Sequence, residues 1–389
     1  MIADCFLRRV KLRHYKSIGD CELELGRLSI LVGRNGSGKS NFLDALRFIV
    51  DGLQTSLDHA IKSRGGIDEV RRRSQGHPHN FAIEVEVNLP EWRTAKYSFE
   101  IGSQKKGGFI VKREWLSVLR ASGERESYYD VTEGSVKSSL ADPPPAASDR
   151  LYLVTASGRP EFRGVYDAFT AMGFYNLNPE QMKEFQSPDA GELLRRDGSN
   201  IASVVARLAD QKPEIKERIR DYLQAIVPDI VDFSRASFAH RETLQFKQKV
   251  IGSKHPWEFN AASMSDGTLR ALGILVATMQ LADHSLPVSL VGIEEPETAL
   301  HPAASAALME SLREAARHTQ VVITTHSPAM LDEFNPDEDK LFVVQTQQGT
   351  TEIGPVDAAS LDSIKSHLYS AGELLKLFGH LHGVMARLS

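Results

Sequence analysis

Residues Gly33-Arg34-Asn35-Gly36-Ser37-Gly38-Lys39-Ser40 form the pattern G-x-x-x-x-G-K-S, directly behind the strand-like run Leu28–Val32. Phe42, Leu43, Leu46 and Ile49 then recur at helical spacing, which predicts a helix through about Val50. A glycine-rich turn between a buried strand and a helix can wrap its backbone N–H groups around a phosphate, and the helix N-terminus adds favourable dipole potential. The strand–loop–helix context therefore predicts a phosphate site formed by residues 33–41, from Gly33 to Asn41. Lys39 is expected to reach the β- and γ-phosphates of a nucleoside triphosphate, and Ser40 to ligate Mg²⁺.

Around this segment the chain reads as α/β. Phe6–Leu12 and Cys21–Leu25 look like short strands. Phe81–Leu89 alternates Ile83, Val85, Val87 and Leu89 with Glu84, Glu86 and Asn88, as a half-buried strand does. Tyr97–Ile101 and Phe109–Leu119 are expected to be further antiparallel strands, with a loop at Asp142-Pro143-Pro144-Pro145. Residues 160–227 read as mostly helical, broken at Pro160, Pro179, Pro188 and Pro213. The last third predicts a helix at Met264–Ala282, a strand at Val288–Ile293 and a helix at Pro302–Arg317. A strand at Gln320–Thr325, a hairpin over Leu341–Val356 and a helical stretch at Glu373–Leu388 follow. Short strands without alternation, each followed by a helix, imply a parallel sheet covered on both faces.

Three further segments carry chemistry. Glu294-Glu295-Pro296-Glu297 ends an apolar strand, at the rim where α/β sheets bind ligands. Glu294 suits the place beside the metal, and Glu295 that of the group that orients or deprotonates water. His326 ends the run Ile323-Thr324-Thr325, on what should be the neighbouring strand, where it suits a γ-phosphate sensor. Ser263-Met264-Ser265-Asp266-Gly267-Thr268 opens a long helix. It reads both as an N-cap and as a second anion-binding helix terminus.

In this order the motifs GRNGSGKS, MSDGT, LVGIEEPE, TALHP and ITTHSP resemble the ABC-type ATPases. The opening HYKSIGDCELELGRLSILVGRNGSGKSNFLDALRFI resembles more specifically the RecF, SMC and overcoming-lysogenization-defect branch, with the stand-alone predicted AAA-family ATPases of bacteria. LLRRDGSNIASVVARL (Leu193–Leu208) resembles the middle region of those ATPases. The resemblance implies a P-loop NTPase head with a mixed sheet flanked by helices, inserted antiparallel strands and a helical subdomain. Residues 1–90 and 260–389 would form the ATPase domain, and 91–259 an inserted β and helical region. It implies ATP and Mg²⁺ as ligands and a head-to-tail homodimer. In that dimer Ser265, Asp266, Gly267 and Thr268 would form the signature, with Ser265 and Gly267 contacting the γ-phosphate on the other protomer. Glu295 would be the catalytic base, His326 the switch residue, and Ala299, Leu300 and His301 the D-loop. The chain departs from the family pattern in MSDGT for LSGGQ and in Glu294 for the usual aspartate. The Q-loop glutamine has two candidates, Gln75 and Gln181.

The interval from Ser40 to Ser265 is too long for the motor subunit of a membrane transporter, and it lacks the heptads of an SMC coiled coil. The presence of Lys39, Ser40, Glu295 and His326 weighs against a non-hydrolysing sensor. Net charge −5 argues against a basic nucleic-acid-binding body. Arg64 and Arg71–Arg73, expected on a hairpin near the site, read either as DNA-phosphate contacts or as a solvated basic turn. Cys5 and Cys21 are too few for a disulfide framework. Charges in the opening residues argue against export, and no apolar run is long enough to span a bilayer, so a cytoplasmic protein is expected. The residues after His326 leave little room for a nuclease domain, so any DNA-cleaving effector is expected to be a separate subunit.

Overall fold

Alternating apolar residues build half-buried strands, and continuous apolar runs build strands covered on both faces. The computed structural model describes residues 6–73, 79–104, 108–280, 288–378 and 383. Cys5, Gln75, and the ends of the helices expected at Met264–Ala282 and Glu373–Leu388 lie outside these. The chain begins with strands β1 (Leu7–Tyr15), β2 (Ile18–Glu24) and β3 (Leu28–Val32) and helices α1 (Lys39–Gln54), α2 (Leu57–Lys62) and α3 (Ile67–Val70). Strands β4 (Asn80–Leu89), β5 (Arg93–Ser103), β6 (Phe109–Leu119), β7 (Arg125–Thr132) and β8 (Ser135–Ser138) lead to α4 (Tyr152–Ala156) and α5 (Pro160–Thr170). Then come β9 (Gly173–Tyr175), α6 (Pro179–Lys183), α7 (Ile201–Gln211), α8 (Pro213–Ile226), β10 (Ile230–Phe238), β11 (Arg241–Gln248) and β12 (Trp257–Asn260). The last part holds α9 (Asp266–Met279), β13 (Leu290–Glu294), α10 (Ser305–Ala316), β14 (Gln320–Thr325), α11 (Pro328–Asp332), β15 (Asp339–Gln347) and β16 (Thr350–Pro355). Helices α12 (Ala358–Lys365) and α13 (Ala371–Phe378) follow.

The described residues fall into two compact units, one within Met1–Met172 and Lys340–Leu361, the other within Gly173–Asp339 and Asp362–Gly379. In the first unit the strand order is β8-β7-β6-β5-β4-β1-β2-β16-β15-β3. Pairs from β8 to β2 are antiparallel, whereas β16 meets β2 in parallel at Thr351↔Ile18. The sheet is therefore mixed, and β5 to β8 extend it without a break from β4. Helix α1 is seated by edge-to-face rings, with Phe48 5.4 Å from Phe81 and 6.0 Å from Tyr15. Such pairs add about 0.5–1.5 kcal/mol each beyond burial.

Asp44 on the same helix accepts bonds from Tyr15 Oη (2.8 Å) and Arg64 Nε (3.0 Å), and pairs with Lys16 Nζ (2.6 Å) and Arg47. Burial alone would raise its carboxyl, but the cations outweigh burial and hold it down at about 2. Arg64 also pairs with Asp51 (2.8 Å), and its side chain is 2% exposed. Arg64 is thereby withdrawn from the basic group that the sequence offered. Arg64 is an internal counter-ion, and Arg71, Arg72 and Arg73 follow α3 rather than lying on a hairpin. Arg71 pairs with Asp68 (2.8 Å), Arg73 with Glu69, and Arg72 donates to Thr350.

In the second unit β14-β13-β9 run parallel, with Val291↔Val321 and Val291↔Gly173 in register. Every residue of β14, and all of β13 but Glu294, is buried, as expected of strands covered on both faces. Pro160, Pro179 and Pro213, expected as breaks, each occupy the first turn of a helix, where a missing N–H costs nothing. Pro302–Ala304 is a single 3₁₀ turn, so the helix expected from Pro302 begins at Ser305. Sequence periodicity did not reveal β7, β8, β9 or the antiparallel sheet β10-β11-β12. Strands as short as the three residues of β9 carry too little pattern to read.

Candidate functional site

The first unit carries the phosphate loop. Gly36 and Gly38 adopt φ of 77° and 101°, which only glycine takes readily. A Cβ on Gly38 would lie 2.1 Å from Thr351 Oγ1, and one on Gly33 2.2 Å from the Val344 carbonyl oxygen. The β15–β16 hairpin thus presses against the loop, and Thr351 Oγ1 (2.8 Å) and Thr346 Oγ1 (3.1 Å) donate to the Ser37 carbonyl. Asn41 Nδ2 donates to Ser17 Oγ (2.6 Å), which shares a hydrogen with Thr351 Oγ1 at 2.7 Å. None of these hairpin contacts was legible in the sequence.

Helix α1 starts at the αL residue Gly38, with no side chain capping it and no acid in its first turn. Its N-terminal N–H groups and dipole suit an anion. Lys39 is buried and donates to the Gly33 (2.8 Å) and Arg34 (3.2 Å) carbonyls, so the ammonium sits over the loop. Ser40 and the tip residues Arg34, Asn35 and Gly36 are exposed, while Ser37 Oγ is buried without a hydrogen-bond partner. A cradle that glycine alone can form, an uncapped helix and an orphaned hydroxyl fit a triphosphate.

The second unit carries the acids and the histidine. Glu294 closes β13, and Glu295 turns the chain at φ 44°, a strained conformation for a non-glycine residue. Its N–H donates to the Thr324 carbonyl at 3.0 Å, which fixes the turn to β14. His326 follows β14, and its Nδ1 lies 3.1 Å from Glu295 Oε1, with both side chains partly exposed. Glu297 accepts from Thr325 Oγ1. Parallel pairing of β13 and β14 thus joins Glu295 and His326.

Ser265 caps α9, accepting from Thr268 N at 3.1 Å. The Asp266 carboxylate is half exposed and pairs with Lys183 Nζ at 2.7 Å, while Ser265 supplies the helix cap. Lys183 neutralises the acid in this departure from the signature pattern. Gly267 packs on the segment expected as the D-loop, since a Cβ there would sit 2.3 Å from the Ala299 carbonyl oxygen, and Leu300 adjoins it. Ala299 adopts φ 65°, and His301 Nδ1 accepts from Ala303 N at 3.2 Å. Ser265, Asp266, Ala299 and His301 are exposed. Gln181 lies exposed on α6 rather than at a strand end, and Asn176 is the residue that follows β9. Gly267→Ala should force Ala299 aside at about 1–3 kcal/mol, and lower ATP turnover by about 10-fold or more. Steady-state ATPase assays, with a fluorescent-ATP titration to show intact binding, would check this.

A phosphate loop that opens a helix, with a glutamate and a histidine ending adjacent parallel strands and a capped signature helix, is the arrangement of the ABC-type P-loop ATPases, in their SMC- and RecF-like form. The chain belongs to the family described as "AAA domain, putative AbiEii toxin, Type IV TA system", which matches residues 28–332. It is 30% identical to the chromosome partition protein Smc of Synechocystis sp. over 134 residues, covering 32% of this chain and 11% of that protein. It is 49% identical to Smc of Desulfitobacterium hafniense over 47 residues, covering 12% of this chain and 4% of that protein. The chain therefore spans only a small part of the curated relatives it matches.

The fold is that of an SMC head. A structure titled as the SmcHead bound to the C-winged helix domain of ScpA matches with TM-score 0.56 at 14% identity, covering 91% of this chain and 99% of that one. The Smc head domain with an extended coiled coil, bound to the C-terminal domain of ScpA and derived from Pyrococcus furiosus, matches with TM-score 0.55 at 13% identity, covering 93% and 99%. No helix among the described residues is long and apolar enough to cross a membrane.

Proposed function

We propose that this chain binds and hydrolyses ATP, and that ATP closes a head-to-tail homodimer acting on or near DNA in repair or phage defence. The observation that carries the reading is the Glu295–His326 pair at the ends of two parallel strands, in a chain that also holds a complete phosphate loop. Residues 33–41 would cradle the triphosphate, with Lys39 against its β- and γ-phosphates. Ser40, and Glu294 through water, would hold Mg²⁺, which neutralises charge on the phosphates. Mg²⁺ commonly keeps waters and substrate oxygens, so one or two protein ligands suffice. Glu295 would take a proton from the attacking water, and His326 would hold that carboxylate in place and sense the γ-phosphate.

Exposure of Ser265, Asp266, Ala299 and His301 supports a signature and D-loop offered to a second copy. Residues 1–90 with 260–389 would form the ATPase domain proper, carrying 91–259 as an insertion. The matched SMC heads are titled as complexes with ScpA domains, which favours a separate protein effector here, such as a nuclease. The chain would work in the cytoplasm. Light scattering on Glu295→Gln with ATP and Mg²⁺ should show twice the 43.1 kDa monomer mass. A monomer at every concentration would contradict the shared-site mechanism.

A further inference from the structure

The segment Leu193–Leu208 has no role in the ATPase reading, yet it builds one wall of a cavity of about 780 Å³ in the second unit. That volume lies within the range of small-molecule clefts. The residues after β9 run beside residues 195–197, through Asn176 N to the Arg196 carbonyl (3.0 Å) and Asn178 N to the Asp197 carbonyl (3.0 Å). Buried Asn200 fixes this wall. Its Oδ1 accepts from Arg195 N (2.7 Å), and its Nδ2 donates to the Leu193 carbonyl (2.9 Å) and to Asp189 Oδ2 (3.0 Å). Arg195, Arg196 and Arg270 line the space with a single acid, Asp197.

Asp197 is turned to its own backbone, accepting from Ser199 N at 3.0 Å. Arg195 is shared with Asp189 at 3.1 Å, but its side chain remains 59% exposed. Arg270 reaches the cavity from α9, and its Nε is buried with no hydrogen-bond partner. Burial disfavours its charge, while Glu295, Glu297 and Asp266 nearby favour it. Leaving a buried N–H donor without a partner is destabilising, and an acceptor supplied by a ligand would relieve it. The lining holds three guanidiniums and one inward-bonded carboxylate, and Asp189 beside Arg195 and the acids near Arg270 offset part of that positive charge. Guanidinium groups match phosphate oxygens with paired donors.

We infer that this cavity is a second anion site, which takes a phosphate group through Arg195, Arg196 and Arg270. The phosphate belongs either to a free nucleotide or to a nucleic-acid strand. None of its lining residues belongs to the phosphate loop, and the inference stands whether or not the chain hydrolyses ATP. Arg270 shares helix α9 with the signature, so an occupant would touch the element that the proposed dimer uses.

The test compares Lys39→Ala, which disables the phosphate loop, with the same chain also carrying Arg195→Ala and Arg196→Ala. One arm titrates AMP by calorimetry, and the other titrates a fluorescein-labelled single-stranded oligonucleotide by anisotropy across a salt series. The inference expects Lys39→Ala to bind at least one probe and the triple variant to bind it at least 10-fold more weakly. For the oligonucleotide, two lost contacts should reduce the log–log salt slope by about 1.4. AMP binding identifies a free nucleotide as a sufficient ligand, and oligonucleotide binding alone identifies a strand. Equal binding by both variants, or binding of neither probe by Lys39→Ala, overturns the inference. Fluorescent-ATP titration of Arg195→Ala/Arg196→Ala with Lys39 intact shows that the fold survives. That titration tests the ATP reading separately.

Discussion

Glu295→Gln is expected to lower ATP turnover by about 10²–10⁴-fold, the usual contribution of a positioned general base. The amide keeps the size of the side chain and its carbonyl can still accept from His326 Nδ1, now 3.1 Å from the carboxylate. The strained turn at φ 44° is held by the Glu295 N–H, which donates to the Thr324 carbonyl of β14, and should survive the substitution. Nucleotide binding should therefore persist, and only the chemical step should be lost. Single-turnover assays with a parallel fluorescent-ATP titration separate the two. Turnover within 10-fold of wild type would move the base elsewhere in the chain. Loss of ATP binding as well would mean that Glu295 acts by holding the fold.

The second large effect lies far from this chemistry in the chain. Glu114, on β6, is fully buried. Its Oε1 accepts from Tyr129 Oη (2.8 Å), Leu153 N (2.9 Å) and Tyr97 Oη (3.1 Å), and its Oε2 accepts from Tyr152 N. The carboxylate thereby caps α4, whose own first residues offer no side-chain cap. Glu114→Gln turns one oxygen into a donor. Whichever way the amide turns, one backbone N–H of Tyr152 or Leu153 faces an NH₂ group. The cost should be about 2–3 kcal/mol for a buried unsatisfied group, visible as a lower melting midpoint.

The same residue should make stability depend on pH. Burial outweighs the four donors and pushes the Glu114 carboxyl up to about 7 from its ordinary 4.5. The folded chain then holds the proton more tightly than the unfolded chain. Its contribution is fullest below about 4.5 and is lost as pH rises towards 7. Thermal melts at about pH 5 and about pH 8 should show the gap between wild type and Glu114→Gln narrowing at the higher pH. An unchanged gap would show that the four donors keep the carboxylate charged throughout.

Much of the fold was legible because each segment carries its own period. The limits predicted for β3, β6 and β14 agree with the structure, and the β15–β16 hairpin turns at Gln348 and Gly349, both at positive φ as a tight turn requires. The glycine-rich loop was readable for the same reason: its pattern depends on neighbours in the chain. Glu295 and His326 could be placed on adjacent strands because two apolar runs with helices after them pack in parallel. Partnership between distant side chains was not legible. A run of arginines looks the same in sequence whether it faces solvent or, as with Arg64 on Asp44 and Asp51, fills the interior.

The sequence by itself therefore determined the phosphate loop, the order of the motifs and the strands that carry them, because backbone conformation and burial period are local properties. Tertiary structure alone decided that Thr346 and Thr351 hold the loop, that Lys183 neutralises Asp266, and that Gly267 must be small to meet Ala299. It also decided that Arg195, Arg196 and Arg270 share one cavity. Charge pairing and close packing join residues tens to hundreds of positions apart, and no local pattern encodes which partner each side chain meets.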